Sequence, residues 1–184
     1  MRIIDTDLPE VKLIEPKVFG DERGYFFEAF HKERYTEIGL TNPLVQDNVS
    51  KSQKGVLRGL HFQNPKSQGK LVSVLEGEVF DVAVDIRPDS PNFKKWVGFR
   101  LSAENKRQLW VPRGFAHGFV VTSKSAIFAY KCDEFYAPEH EYSIAWNDPE
   151  IAITWPVSQP SLSGKDAEAR SLSDFDFAEL PQYE

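Results

Sequence analysis

The chain has 184 residues, 41% hydrophobic and 13% aromatic, which fits one folded domain with a real core and excludes a disordered chain. Its formal net charge of −6 argues against non-specific nucleic-acid binding, which needs a basic face, although a few converging Arg and Lys residues could still hold a diphosphate. Cys132 is alone and can form no internal disulfide, MRIIDTDLPE lacks a basic-then-apolar leader, and no apolar run approaches about 20 residues, so a cytoplasmic protein with no membrane partner is expected.

In chain order, Lys32–Ile38 is the best helical candidate. The segment Gln46–Gln63, QDNVSKSQKGVLRGLHFQ, otherwise reads as strand and carries Arg58 and His61. Strict alternation would put His61 on one face with Gly59 and Gln63, and Arg58 on the other with Leu60 and Phe62. The two side chains would then leave in neighbouring but distinct directions. Lys70–Glu76 alternates Leu71, Ser73 and Leu75 against Val72 and Val74, and Val79–Ile86 sets Phe80, Val82, Val84 and Ile86 against Val79, Asp81, Ala83 and Asp85. Between them, Glu76-Gly77-Glu78 reads as a turn or bulge inside a β-meander. Further strands are expected at Lys95–Leu101, Gln108–Val111, His117–Thr122, Ala126–Cys132 and Ser143–Trp146, with helices at Lys165–Arg170 and Ser173–Leu180. The polar tail after Trp155-Pro156 is expected to wrap the surface from about residue 157. Many short strands with few helices predict an all-β sandwich or barrel in a single domain, 1–184.

Four histidines are present, and of the possible metal donors only Gln46, His61 and His117 look grouped. A His-x-His pair with a nearby carboxylate is missing because position 63 is Gln63, so no metal is expected. His61 is instead a candidate general base, since an imidazole oriented by a carboxylate works near neutral pH. Asp81, on the less apolar phase of its strand, and Asp166, in Ser163-Gly-Lys-Asp, are both able to orient it. Tyr130 and Tyr136 are candidate acids, or rim residues capping the core. Arg23, Arg58, Lys70 and Lys165 could clamp phosphates or stabilise an enolate.

The sequence resembles the dTDP-4-dehydrorhamnose 3,5-epimerases over nearly its whole length. The likeness is carried by DERGYFFE at Asp21, QDNVSKS at Gln46, GVLRGLHFQ at Gly55 and GEVFDVAVDIR at Gly77. It continues through LWVPRGFAHGF at Leu109, YKC at Tyr130 and WNDP at Trp146. Lys94-Lys95 departs from a Gly-containing turn common in that family, at a place remote from chemistry. The resemblance implies a cupin-like jelly roll with a few short helices, a homodimer, no cofactor and a dTDP-4-keto-6-deoxy sugar as substrate. It also implies that His61 is the general base oriented by Asp166, that Tyr130 is the general acid, and that Lys70 stabilises the C4 enolate oxygen. Arg23, Arg58 and Lys165 would meet the diphosphate or nearby groups. Glu28, Gln46, Asp47 and Asn48 would line the nucleotide end, with His117 and Glu141 completing the pocket and Tyr136 stacking on thymine. The segment carrying Arg23 and Glu28 would reach the partner subunit's pocket. A 3-epimerase or ketoisomerase on a related sugar, and a non-catalytic sugar-nucleotide-binding cupin, are the alternatives.

Overall fold

The computed structural model describes residues 1–183. Its main body is two antiparallel sheets. The first has six strands in the order β1 (Arg2–Asp5), β2 (Lys12–Glu15), β10 (Gln108–Val111), β7 (Lys70–Glu76), β12 (Ser125–Cys132), β5 (Gln46–Gln53). The second has five, in the order β13 (Glu141–Ser143), β6 (Leu57–Gln63), β11 (Phe115–Val121), β8 (Glu78–Asp85), β9 (Trp96–Ser102). A separate hairpin pairs β3 (Val18–Asp21) with β4 (Gly24–Phe27). The helices are α1 (Lys32–Thr36) and α2 (Gly164–Ala167), with three single 3₁₀ turns at Pro138–His140, Leu172–Asp174 and Phe177–Glu179. This is the predicted all-β jelly roll.

The sheets pack face to face because each strand between them alternates. Val72 and Phe128 from the first sheet meet Val79, Phe119 and Val121 from the second in one buried cluster. Phe119 and Phe128 stack at 4.0 Å between centroids. Burying each such side chain is worth about 1.5–3 kcal/mol. The opposite face of the six-stranded sheet is covered by the α1 region, where Tyr35 and Leu40 pack on Ile14, Leu71 and Trp110.

The predicted meander turn at Glu76-Gly77-Glu78 is not one. β7 pairs with β10 and β12, whereas β8 pairs with β11 and β9, so the chain passes from one sheet to the other at Gly77. Gly77 has φ +75, and a Cβ there would lie 2.0 Å from the Ser125 carbonyl oxygen. Only glycine makes that crossing. The departure at Lys94 has a physical correlate too: Lys94 takes φ +69, and its amide donates to the Asp85 carbonyl at 2.8 Å to close the turn.

The tail is more than a polar wrap. Its Leu172, Phe175 and Leu180, with Ile151 just upstream, are buried against Leu60, Phe62, Val82, Val84 and Ile86, giving the five-stranded sheet a second core on its other face. Phe62 lies 5.3 Å from Tyr142 and 5.7 Å from Phe175 between ring centroids. Widely spaced apolar anchors in a polar sequence hid this role. The helix expected over Ser173–Leu180 is two separate turns, because Ser171 with Asp174, and Asp176 with Glu179, each close a local capping box. The strand expected at Ser143–Trp146 lies earlier, at Glu141–Ser143, and the helix at Lys165–Arg170 shortens to α2.

Candidate active site

A cleft of about 390 Å³ opens between the sheets, lined from both. β6 contributes Arg58 and His61, which corrects the expectation that they leave in distinct directions. His117 of β11 pairs with His61, but Phe119 pairs with Arg58, so three steps on β6 match two on β11. The extra residue is a bulge, and it turns a three-residue spacing back onto one face. Gly59 makes the bulge possible. At φ +120 its position leaves no room for a side chain, as a Cβ would lie 2.6 Å from Gly118 Cα and 2.7 Å from the His117 carbonyl oxygen.

Both candidate acids hold a histidine, and the register decides which. Asp166, only 4% exposed, accepts a hydrogen bond at Oδ1 from His61 Nε2 at 2.6 Å. Asp81 sits opposite Phe119, diagonal to His117, whose Nε2 lies 3.0 Å from each Asp81 oxygen. Burial opposes charge on Asp166. The hydrogen bond and charge of His61, with donors from Ser163 and the Gly59 amide, nevertheless keep its carboxyl below the usual range. With Nε2–H committed to Asp166, the lone pair of His61 is on Nδ1.

The six-stranded sheet supplies the facing wall. Lys70 shares the inner face of β7 with Val72 and Val74 and is buried, which lowers its pKa; Glu141, Asp81 and Asp133 support its charge through space. Tyr130, opposite Val72, is half-buried, and burial raises its pKa, so the phenol is protonated at neutral pH. Cys132, opposite Lys70, is pushed up to about 11 by burial and is an inert thiol.

At the mouth, Tyr136 Oη donates to Glu141 Oε2 at 2.7 Å, and Lys165 Nζ meets the same oxygen at 2.5 Å. That hydrogen bond raises the Tyr136 pKa to about 12, and burial of Glu141 is outweighed by Lys165 and Tyr136, which hold its carboxyl low. Gln46 and Asn48 face the cleft. Gln46 Oε1 accepts from the Tyr136 amide at 2.8 Å, and its Nε2 donates to Asn48 Oδ1 at 3.1 Å. Arg58 Nε donates to Ser52 Oγ at 3.1 Å, and the side chain lines the cleft.

Three expected residues lie elsewhere. Asp47 is on the outer phase of β5, ion-paired to Lys131 at 2.6 Å, because alternation sends Gln46, Asn48 and Ser50 inward. Arg23 is at the tip of the β3–β4 hairpin against Asp21, and Glu28 is paired with Arg34; both are outside this chain's own cleft. Gln68, Phe119 and Phe128 line the cleft without having been singled out. The two phenylalanines read as core, and only the pairing register distinguishes them.

The dTDP-4-dehydrorhamnose 3,5-epimerase family model matches residues 5–174. The dTDP-4-dehydrorhamnose 3,5-epimerase of Salmonella typhimurium is 60% identical, over 94% of this chain and 96% of that one. A solved dTDP-6-deoxy-D-glucose-3,5-epimerase of Legionella pneumophila, in complex with dTDP-4-keto-L-rhamnose, is 59% identical with a TM-score of 0.97, covering 100% of this chain and 98% of that one. A solved 3'-monoepimerase of Streptomyces bikiniensis, in complex with dTDP-quinovose, is more distant, at 32% identity and a TM-score of 0.88 over 97% and 92% of the two chains. With its cleft flanked by a carboxylate-bound histidine, a buried lysine and a protonated tyrosine, this chain belongs to the dTDP-4-dehydrorhamnose 3,5-epimerase family.

Proposed function

We propose that this single-domain protein inverts C3 and C5 of dTDP-4-dehydro-6-deoxy-D-glucose, giving dTDP-4-dehydro-L-rhamnose in dTDP-L-rhamnose biosynthesis. The observation that carries the reading is the His61–Asp166 pair at 2.6 Å, opening onto the same cleft as Lys70 and Tyr130. The C4 ketone acidifies the hydrogens at C3 and C5, since loss of either gives an enolate. His61 Nδ1 takes the proton, and the ionised Asp166 stabilises the imidazolium that forms. The Lys70 ammonium meets the negative charge growing on the C4 oxygen, in a buried site where such charge pairing is strong. Tyr130 returns a proton from the opposite face, which inverts the carbon. His61 then releases its proton to solvent and Tyr130 takes one up, and with both groups reset the second carbon follows by the same steps. The reaction is redox-neutral, and these groups, with solvent as the proton reservoir, move each proton and meet each charge, so the chemistry calls for neither cofactor nor metal.

Arg58 and Lys165 are assigned to the diphosphate, and Gln46, Asn48, His117, Tyr136 and Glu141 to the rest of the ligand. We assign Arg23 and Glu28 to the partner's cleft in a cytoplasmic homodimer. The exposure of Phe19, Tyr25 and Phe26 at 54%, 60% and 69% supports this, because a two-stranded hairpin does not hold such surface open to water alone.

His61→Ala tests the assignment. Deuterium exchange at both carbons is expected to stop while dTDP still binds with near wild-type affinity. Exchange at the wild-type rate would remove His61 as the base.

A further inference from the structure

The tail contains three helix starts with an acid at the third helical position, and one of them is wired differently. At Ser171–Asp174, the Asp174 carboxylate accepts from the Ser171 amide at 3.2 Å, and at Asp176–Glu179 the Glu179 carboxylate accepts from the Asp176 amide at 3.0 Å. Both are closed capping boxes, in which the acid turns back to its own backbone. At Ser163–Asp166 the first half forms, with Ser163 Oγ accepting from the Asp166 amide at 3.1 Å. The second half does not. Asp166 Oδ1 goes to His61 instead, and Oδ2 accepts from the Ser163 hydroxyl at 3.0 Å.

One serine therefore holds Asp166 twice, by backbone and by carboxylate. α2 has four residues and cannot stand as an isolated helix. The segment is tied to β6 by the His61–Asp166 contact, and the Lys165–Glu141 pair ties it to β13. Just before the helix, the Ser161 carbonyl accepts from the Leu57 amide at 3.0 Å and the Ser161 amide donates to the Gly55 carbonyl at 2.8 Å. Besides His61, the Gly59 amide is the carboxylate's other donor. Without the Ser163 hydroxyl these two alone would set its rotation about its last bond, and the Nε2 partner of His61 would turn with it. We propose that Ser163 is a positioning residue for the epimerisation, its hydroxyl fixing the Asp166 carboxylate so that His61 keeps Nδ1 aimed into the cleft. This rests on the reading of His61 and Asp166 as the catalytic pair.

The sign of the pH effect follows from the donor count. The Ser163 hydroxyl withdraws charge from Asp166, and without it the carboxylate is more basic, so the pair binds its first proton at higher pH. The other groups around the pair are Arg58 on β6, His117 on β11 with Asp81 of β8 behind it, Lys70 on β7, Tyr130 on β12, Tyr136 at the mouth, Glu141 on β13 and Lys165 on α2. None of them has a side-chain hydrogen bond to Ser163, so its replacement leaves their own contacts in place.

Glycine is tolerated at an N-cap, so Ser163→Gly removes the hydroxyl while keeping the start of α2. The experiment measures kcat, KM and the pH profile of kcat/KM for Ser163→Gly, Ser163→Thr and Asp166→Asn, with thermal midpoints to show that each is folded. For Ser163→Gly we expect kcat down roughly tenfold, KM within about twofold and the acid limb moved to higher pH. Threonine, which keeps the hydroxyl, should restore kcat and the limb. A Ser163→Gly enzyme with wild-type kcat and an unmoved limb would overturn the proposal, as would a loss of kcat that threonine fails to restore. If Asp166→Asn keeps wild-type kcat, the catalytic-pair reading fails and this proposal with it. If Asp166→Asn is inactive and Ser163→Gly is normal, only the role of Ser163 is lost.

Discussion

Lys70 shows in one side chain how the fold gives up stability for function. Burial disfavours its charge, and the surrounding carboxylates offset that only through space. A lysine whose folded pKa is depressed costs stability in full below the folded value, and the cost disappears only as pH rises above the ordinary value of 10.5. At neutral pH the cost is therefore present. Lys70→Met, close in volume and uncharged, should raise the thermal midpoint while lowering kcat by about a hundredfold or more. Calorimetry and steady-state rates on the same sample read both, and a lowered midpoint with retained kcat would contradict the account. At this scale the sequence was partly legible. Residue types and the GVLRGLHFQ motif pointed to His61, and YKC pointed to Tyr130. From the residue pattern alone Asp81 and Asp166 stayed equivalent, and only the family resemblance singled out Asp166, because the choice depends on which histidine each meets, and that is a matter of cross-strand register. Asp47 was misplaced for the opposite reason: its motif was right, but the alternation along β5 sends it to the outer face.

β6 shows why alternation alone misreads a functional strand. Period-two reasoning separates Arg58 from His61, whereas one extra residue opposite Gly118 brings both to the cleft. The pattern of apolar residues says nothing of the bulge, although a Gly within a strand is its usual mark. Gly59→Ala should therefore be severe. The added Cβ meets backbone atoms at 2.6 and 2.7 Å, which cannot move aside as a flexible side chain would. We expect a loss of roughly 3 kcal/mol or more in urea unfolding, with activity falling as His61 and Arg58 lose their common direction. An alanine variant of wild-type stability would mean that the bulge is not strictly required. The strand blocks at Lys70–Glu76 and Gln108–Val111 were read correctly, because regular alternation is what sequence periodicity reports. The short tail turns were not, since a few Ser and Asp side chains bonding locally to backbone outweighed helical spacing.

Across the whole molecule, the two sheets divide the chemistry: the five-stranded sheet carries the base, and the six-stranded sheet carries Lys70 and Tyr130. The fold class was legible because strand count and spacing are global properties. The second core under the tail was not, because its anchors are far apart in sequence. The assignment of Arg23 to a partner's cleft has a test at the same scale. Arg23→Ala and His61→Ala chains, each inactive alone, should recover about a quarter of wild-type activity when unfolded and refolded together, since half of the dimers are mixed and each has one intact site. Activity no greater than the sum of the separate variants would place Arg23 outside the partner's site. The central claim is a double inversion through enolates, and NMR of dTDP-4-dehydro-6-deoxy-D-glucose incubated with the enzyme in deuterated water tests it most directly. The account predicts deuterium at both C3 and C5 with no added metal or cofactor. Deuterium at C3 alone, or at neither carbon, would contradict it.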